Sequence, residues 1–245
     1  MERQNCGPQR LPGVSDTVKH IIRYDAGMLP RLIIGNKNYS SWSLRAWLLL
    51  REAGIDFEEY RIVLDVETTA AEMAEHCPSA MVPVLKLGEL AVWDSLAIAE
   101  TVAERWPDAQ LWPADADARA FARSISAEMH SGFGEIRSCM PMNCRAMGRK
   151  VPLPDELTAE IDRIIAIWSL CHKLYNGENG WLFGDFSIAD AMFAPVVLRF
   201  RTYGINLPES AIHYPRRLLE SEAVQDWLAA AETETEVIEF EEKGR

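Results

Sequence analysis

The pattern of apolar and polar positions divides the chain into a mixed first part and a helical second part. Four short apolar or alternating runs predict strands, at residues 31–34, 58–64, 82–87 and 90–93. Three segments with helical periodicity predict helices, at residues 43–53, 69–75 and 95–106. Their order (strand, helix, strand, helix, two strands, helix) predicts a small α/β domain.

The rest of the chain shows only helical periodicity. Helices are predicted at residues 117–139, 155–174, 187–203 and 223–232, and the acidic tail, 232–245, is expected to be solvated. We therefore predict a poorly ordered or loosely docked N-terminal extension and an α/β domain, followed by a linker and an all-α domain with an acidic tail. These parts cover residues 1–30, 31–107, 108–117 and 118–245.

Composition and charge narrow the class of protein. The 245 residues are 48% apolar, which is enough for a well-buried core. The formal charge of −12 disfavours a nucleic-acid partner, which requires a basic surface. Since the chain has neither a long apolar span nor a secretory signal, we expect a cytoplasmic protein that does not bind membranes.

The cysteines do not predict a metal site. All five are irregularly spaced and none forms a CxxC pair, so zinc and dithiol redox chemistry are both disfavoured. We expect reduced thiols and no metal.

The junction between the first strand and the first helix is rich in hydroxyl groups. It reads Asn-Tyr-Ser-Ser-Trp-Ser-Leu-Arg at residues 38–45. Backbone N–H groups and the positive end of the helix dipole favour an anion there, such as a thiolate. On this stretch alone, a serine that merely caps the helix is the more common role.

Two other junctions contain unusual residues. Val82-Pro83 begins a predicted strand. On sequence alone, a trans peptide bond at a sheet edge is favoured. A cis bond would instead present the Val82 backbone to a peptide-like ligand. Asp94 and Ser95 begin a helix, where either could cap it or together they could bind an amino-acid zwitterion. Glutathione, with its thiol, its peptide backbone and its γ-glutamyl end, fits all three junctions.

With these features the chain, over about residues 31–235, resembles the glutathione transferase superfamily. The stretch 39–45 is similar to the Ser-Ser-Cys-Ser-Trp-Arg motif of the zeta class, the maleylacetoacetate isomerase-like members. Ser187 and Asp190 form a capping box like the one that opens a central helix in the family's second domain. The resemblance implies a thioredoxin-like N-terminal domain, an all-helical C-terminal domain, glutathione as cosubstrate and a homodimer.

The resemblance also assigns roles to residues. Ser40 matches the first serine of the zeta motif and is expected to stabilise the thiolate, with Ser41 as second choice and Ser43 as the helix cap. Glutathione is expected to contact Ser41 and five further residues, namely Trp42, Val82, Pro83, Asp94 and Ser95. The electrophile pocket is expected near the first helix of the second domain, at Tyr39, Met129, His130, Phe133 and Arg137, with His130 structural rather than catalytic.

Two positions depart from the zeta pattern. Trp42 stands where the zeta motif has cysteine, and Thr202 stands where zeta members place an arginine. Arg199 and Arg201 lie nearby and are either substitutes for that arginine or solvated helix residues, the latter being more common for an arginine.

We predict a glutathione transferase that adds the thiolate to a small electrophile. A glutathione-dependent cis-trans isomerase of the maleylacetoacetate type is the alternative enzyme. A non-catalytic binding protein with the same fold is the third possibility.

Overall fold

A four-stranded mixed sheet forms the first part of the protein. The computed structural model describes residues 28–175 and 179–245, so most of the predicted extension, 1–30, lies outside the described residues. The strands are β1 (Arg31–Ile34), β2 (Glu58–Arg61), β3 (Val84–Leu87) and β4 (Leu90–Trp93). Their order in the sheet is β2-β1-β3-β4; β2 runs parallel to β1, and β3 runs antiparallel to both β1 and β4.

Helices cover both faces of this sheet, because successive strand residues point to opposite sides. Leu32 and Ile34 of β1 join the main core with α1 (Ser41–Glu52) and α3 (Ser95–Arg105). Ile33 faces the other way, into a small cluster that Met73 of α2 (Thr69–His76) covers. This sandwich confirms the predicted thioredoxin-like domain, although β2 ends at Arg61 and β3 begins only at Val84, so both are shorter than predicted.

The second part is helical, as predicted. Its helices are α4 (Ala116–Ser131), α5 (Gly134–Cys139), α6 (Asp155–Tyr175), α7 (Ile188–Tyr203), α8 (His213–Leu219) and α9 (Glu222–Thr233). The single helix predicted at 117–139 is wrong: Phe133 has a left-handed backbone (φ 61°), which breaks the segment into α4 and α5. Helix α8 was not predicted.

Helix α7 is the central element of the molecule. It is buried along almost its whole length and packs against α1 and α4, which joins the two parts of the chain. Its predicted capping box is confirmed, since the Asp190 carboxylate accepts hydrogen bonds from the Ser187 N–H and hydroxyl, each at 2.8 Å. The domain boundaries given above stay predictions.

The acidic tail is only partly solvated: Glu232 and Glu239 are exposed, as expected, but other tail residues are buried, which is where the expectation is wrong. Glu234 is 9% exposed and bonds to the segment that leads into α1, while Ile238 is 3% exposed and lines the cavity next to that segment. The charge of the segment alone does not predict this, because the carboxylates of Glu234 and Glu242 accept hydrogen bonds from groups in distant parts of the chain. None of the helices in the described part of the chain combines the length and apolar character needed to span a membrane.

Candidate active site

A cavity of about 500 Å³ opens at the N-terminal end of α1. Four consecutive residues line one side of it, namely Tyr39, Ser40, Ser41 and Trp42. Val82 and apolar side chains around α2 line a second side, while Arg137 and Arg199 contribute two cationic groups. The remaining wall comes from the C-terminal tail, through Ile238, Phe240 and Glu241. Its size is that of a small-molecule site.

Ser40 is the N-cap of α1. Its Oγ accepts a hydrogen bond from the Ser43 N–H (3.3 Å) and donates one to the Ser43 Oγ (2.7 Å). The cap role predicted for Ser43 is therefore wrong: Ser43 lies inside the first turn, where its Oγ accepts from the Gly35 N–H (3.0 Å) at the end of β1. A role for Ser40 towards a thiolate stays a prediction.

Ser41 contacts the second half of the chain. Its Oγ accepts a hydrogen bond from Nη2 of Arg199 at 3.1 Å, and Nη1 of Arg199 donates to the Met140 carbonyl at 2.6 Å. Arg199 is only 5% exposed. It is thus not a solvated helix arginine, the more common of the two roles considered from sequence; its guanidinium joins α7 to the start of α1.

Trp42 lies between two guanidinium groups. The Arg45 carbon Cζ is 4.4 Å from the centre of the indole and that of Arg137 is 4.6 Å away. His130 approaches the same ring edge-on, with 5.4 Å between ring centres. Cation–π attraction to both arginines holds the Trp42 side chain at the cavity edge.

The cavity region has an excess of buried positive charge. Burial, and secondarily Arg137 and Arg199, hold the pKa of Arg45 well below its usual value. Burial and the neighbouring Arg137 lower the pKa of Arg199 to about 10, so it is still charged at neutral pH. Both terminal nitrogens of Arg45 are buried without a hydrogen-bond partner among the described residues. This end of the cavity favours an anion.

Val82-Pro83 is a cis peptide, so the trans bond favoured on sequence alone is wrong. Val82 lines the cavity beside the serine stretch, as the peptide-binding role requires. Pro83 is buried behind it and does not line the cavity.

Asp94 and Ser95 lie at the start of α3 and do not line this cavity. Asp94 is the N-cap, and its Oδ1 accepts from the N–H groups of Leu96 (2.9 Å) and Ala97 (3.1 Å). Its Oδ2 lies 3.0 Å from Nε2 of His130, which gives His130 a bridging position between α3 and α4. The Ser95 Oγ is buried and has no partner within the described parts of the chain.

The predicted electrophile-pocket residues are only partly brought together. Tyr39 and Arg137 line the cavity, whereas Met129, His130 and Phe133 do not. Met129 lies in the core and is 1% exposed. The helix break at Phe133 puts Met129 and Arg137 on different helices, so these two side chains do not share one helical face. Residues 28–175 and 179–245 include no group of three or more His, Cys, Asp or Glu placed to hold a metal ion.

The C-terminal tail is bonded directly to the segment before α1. The Glu234 carboxylate accepts hydrogen bonds from the backbone N–H groups of Lys37 (2.7 Å) and Asn38 (3.0 Å). The Tyr39 hydroxyl donates to the Glu242 carboxylate (2.6 Å); burial, together with this bond, raises the pKa of Tyr39. The tail therefore forms one wall of the site.

Sequence reasoning left the role of Arg199 open between two alternatives and missed the role of the tail. The burial of Arg199 leaves no local signal in the sequence, since an arginine on a helix is usually solvated. The tail does contain a signal, because Ile238 and Phe240 alternate with acidic residues, a pattern typical of a segment with one buried face.

Comparisons with known proteins agree with this geometry. Residues 39–105 match the family described as the glutathione S-transferase N-terminal domain. The chain is 30% identical to the maleylacetoacetate isomerase of Rattus norvegicus over 193 residues. This match covers 76% of the chain and 85% of the rat protein. The chain belongs to the glutathione transferase superfamily. Within that superfamily it is zeta-like.

Two solved structures share the fold of this superfamily member. A glutathione transferase homologue from Burkholderia GL BGR1, solved with bound glutathione, has a TM-score of 0.64 at 24% identity and covers 84% of this chain and 99% of its own. A maleyl pyruvate isomerase, described as a bacterial zeta-class glutathione S-transferase, has a TM-score of 0.63 at 20% identity. The match covers 84% of this chain and 100% of the isomerase chain. At these identities the likeness supports the fold alone.

The attachment of the tail predicts a measurable effect on stability. Glu234→Gln replaces one carboxylate oxygen by an NH₂ group, which cannot accept a hydrogen bond, so one of the two buried N–H groups loses its acceptor. We expect the free energy of unfolding in urea to fall by about 1–3 kcal/mol.

The matched control is Glu239→Gln in the same tail, where the side chain is 80% exposed. This change should alter the free energy of unfolding by less than about 0.5 kcal/mol. Equal stabilities of the two variants would contradict the role given to Glu234.

Proposed function

We propose that this protein is a glutathione transferase that binds the glutathione thiolate at the start of α1 and adds it to a small electrophile. The observation that carries the proposal is that a serine stretch, Ser40 and Ser41, lines one cavity together with the cationic Arg199. The helix dipole adds partial positive charge at the same place. A serine hydroxyl, the guanidinium and the helix dipole each stabilise an anion more than a neutral thiol.

The required effect is of moderate size. A free thiol with a pKa of about 8.5 is only about 3% ionised at pH 7. Lowering that pKa by about two units makes the thiolate the major form and corresponds to about 2.7 kcal/mol of preferential stabilisation. A charge-assisted hydrogen bond from a serine, together with a helix N-terminus, supplies a contribution of this order.

The rest of glutathione also finds suitable groups. Val82 lies beside the serine stretch, where an extended peptide could pair with its backbone. The buried Ser95 hydroxyl lacks a protein partner in the described residues, which fits a ligand carboxylate at the start of α3. We propose Asp94 as the acceptor for the ligand's ammonium group, beside its existing contacts with α3 and His130.

In the transferase reaction the thiol proton leaves to solvent and the thiolate attacks an electrophilic carbon. A carbon–sulfur bond forms, and the leaving group departs with the electron pair of the bond that breaks. Apolar side chains from the α2 side and from the tail would hold the electrophile. The homodimer and the cytoplasmic location implied by the resemblance stay predictions.

The similarity to a maleylacetoacetate isomerase favours a second candidate. There the thiolate would add to a carbon–carbon double bond, the resulting single bond would rotate, and the same thiolate would leave. Glutathione would be regenerated unchanged. Trp42 stands in place of the zeta-class cysteine, which leads us to prefer the transferase.

The proposed function predicts a change in the thiol of bound glutathione. Titration of the thiolate absorbance in the ultraviolet should give a pKa about two units below that of free glutathione, because a serine hydroxyl at the start of α1 and Arg199 favour the anion. S-methylglutathione, which has no ionisable thiol, provides the blank. An unchanged thiol pKa with bound glutathione would reject both enzymes and leave the non-catalytic binding protein.

A second experiment separates the two enzymes. With glutathione and a generic aromatic halide, we expect release of halide and stoichiometric consumption of glutathione. With maleylacetoacetate, an isomerase would form product without consuming glutathione. Turnover of maleylacetoacetate without any turnover of the halide would overturn the transferase in favour of the isomerase.

A further inference from the structure

The two serines at the start of α1 differ in what their hydroxyl hydrogens do. The Ser40 hydroxyl donates to the Ser43 Oγ at 2.7 Å, and this bond belongs to a chain that continues to the Gly35 N–H. Ser40 would have to break that bond in order to donate to a ligand. Its oxygen is also occupied, because it caps α1.

The Ser41 hydroxyl, unlike that of Ser40, accepts a hydrogen bond and donates none within the described residues. An arginine guanidinium has only donors, so in the Arg199–Ser41 contact the Ser41 Oγ must be the acceptor. No acceptor for the Ser41 hydrogen lies within bonding distance in residues 28–175 and 179–245. Ser41 is 6% exposed and lines the cavity, which leaves this hydrogen available to a group bound there.

Arg199 is held in place to make this contact. Its Nη1 donates to the Met140 carbonyl at 2.6 Å while Nη2 reaches Ser41, so the planar fork is fixed at both ends. No carboxylate in the described residues forms an ion pair with it. The buried positive charge is therefore available to stabilise an anion beside Ser41.

Charged and titratable groups from every side act on Arg199. Arg137 on α5 repels it, whereas Glu241 of the tail, Tyr203 of α7 and Cys144 of the segment before α6 favour its charged form. Burial raises the pKa of Glu241, the one carboxylate among these neighbours.

We propose that Ser41, oriented and polarised by Arg199, donates the hydrogen bond that stabilises the glutathione thiolate, and that Ser40 serves as the helix cap. Ser41 is then the catalytic residue and Arg199 a positioning residue contributed by the second half of the chain. This inference rests on the proposed function. The thiol proton leaves to solvent, and no proton is transferred to Ser41 or Arg199.

The test measures the pKa of the bound glutathione thiol in a set of variants, each first checked for folding by circular dichroism and for glutathione binding by calorimetry. Arg199→Gln and Ser41→Ala should each raise that pKa by about one unit or more. Their double variant should raise the pKa by less than the sum of the two single variants, because Arg199 acts partly through Ser41. Arg199→Lys, which keeps the charge but not the fork, should recover part of the effect.

Two controls are matched to these variants. Arg201→Gln removes the same charge from the same helix at a side chain that does not line the cavity, and should leave the thiol pKa close to that of the wild type. Ser40→Ala should lower the midpoint of thermal unfolding, as the loss of a helix cap does, without raising the thiol pKa.

Folded, glutathione-binding Arg199→Gln and Ser41→Ala proteins with wild-type thiol pKa values would overturn the inference. A raised pKa in Ser40→Ala alone would also overturn it and would return the role to Ser40. If the wild-type protein itself leaves the thiol pKa unchanged, the proposed function fails, and that result is distinct from either of these.

Discussion

The site depends on two consecutive backbone N–H groups that are buried just before α1. Lys37 and Asn38 have no strand or helix partner for these groups, and the Glu234 carboxylate accepts both. A buried amide without an acceptor costs about 1–3 kcal/mol, so this contact fixes the segment in one conformation. The Lys37 carbonyl is fixed in the same way, by the Trp227 indole N–H at 2.9 Å. Helix α1 therefore begins at a defined place.

The same contact explains why an acidic tail forms part of the cavity wall. Once Glu234 is anchored, the chain that follows passes over the start of α1, and Arg145 donates to the carbonyls of Glu234 and Glu236. Arg149 then holds the Glu242 carboxylate at 2.7 Å, while Ile238 fills the space beneath. Carboxylates that would be solvated in an isolated segment are thus matched by donors from distant parts of the chain.

Local signals predicted most of the elements, and long-range contacts decided much of what the sequence could not predict. The capping box at Ser187 and the strand–helix order are written in neighbouring residues and were predicted correctly. The cap of α1 was not, because Ser43 is drawn away by the end of β1, a contact eight residues distant in sequence. The burial of Arg199 depends on a contact with Ser41 that spans 158 residues, and no periodicity reveals it.

These contacts converge on one chemical feature, a hydroxyl and a buried cation at the N-terminal end of a helix, beside a backbone suited to a peptide ligand. The most direct measurement is a crystal structure with glutathione bound. We predict that its sulfur lies within about 3.5 Å of the Ser41 Oγ, a hydrogen-bonding distance for sulfur, with the Arg199–Ser41 contact retained. A sulfur bonded to Ser40 instead of Ser41, or one placed outside the cavity, would contradict the account of how this protein activates glutathione.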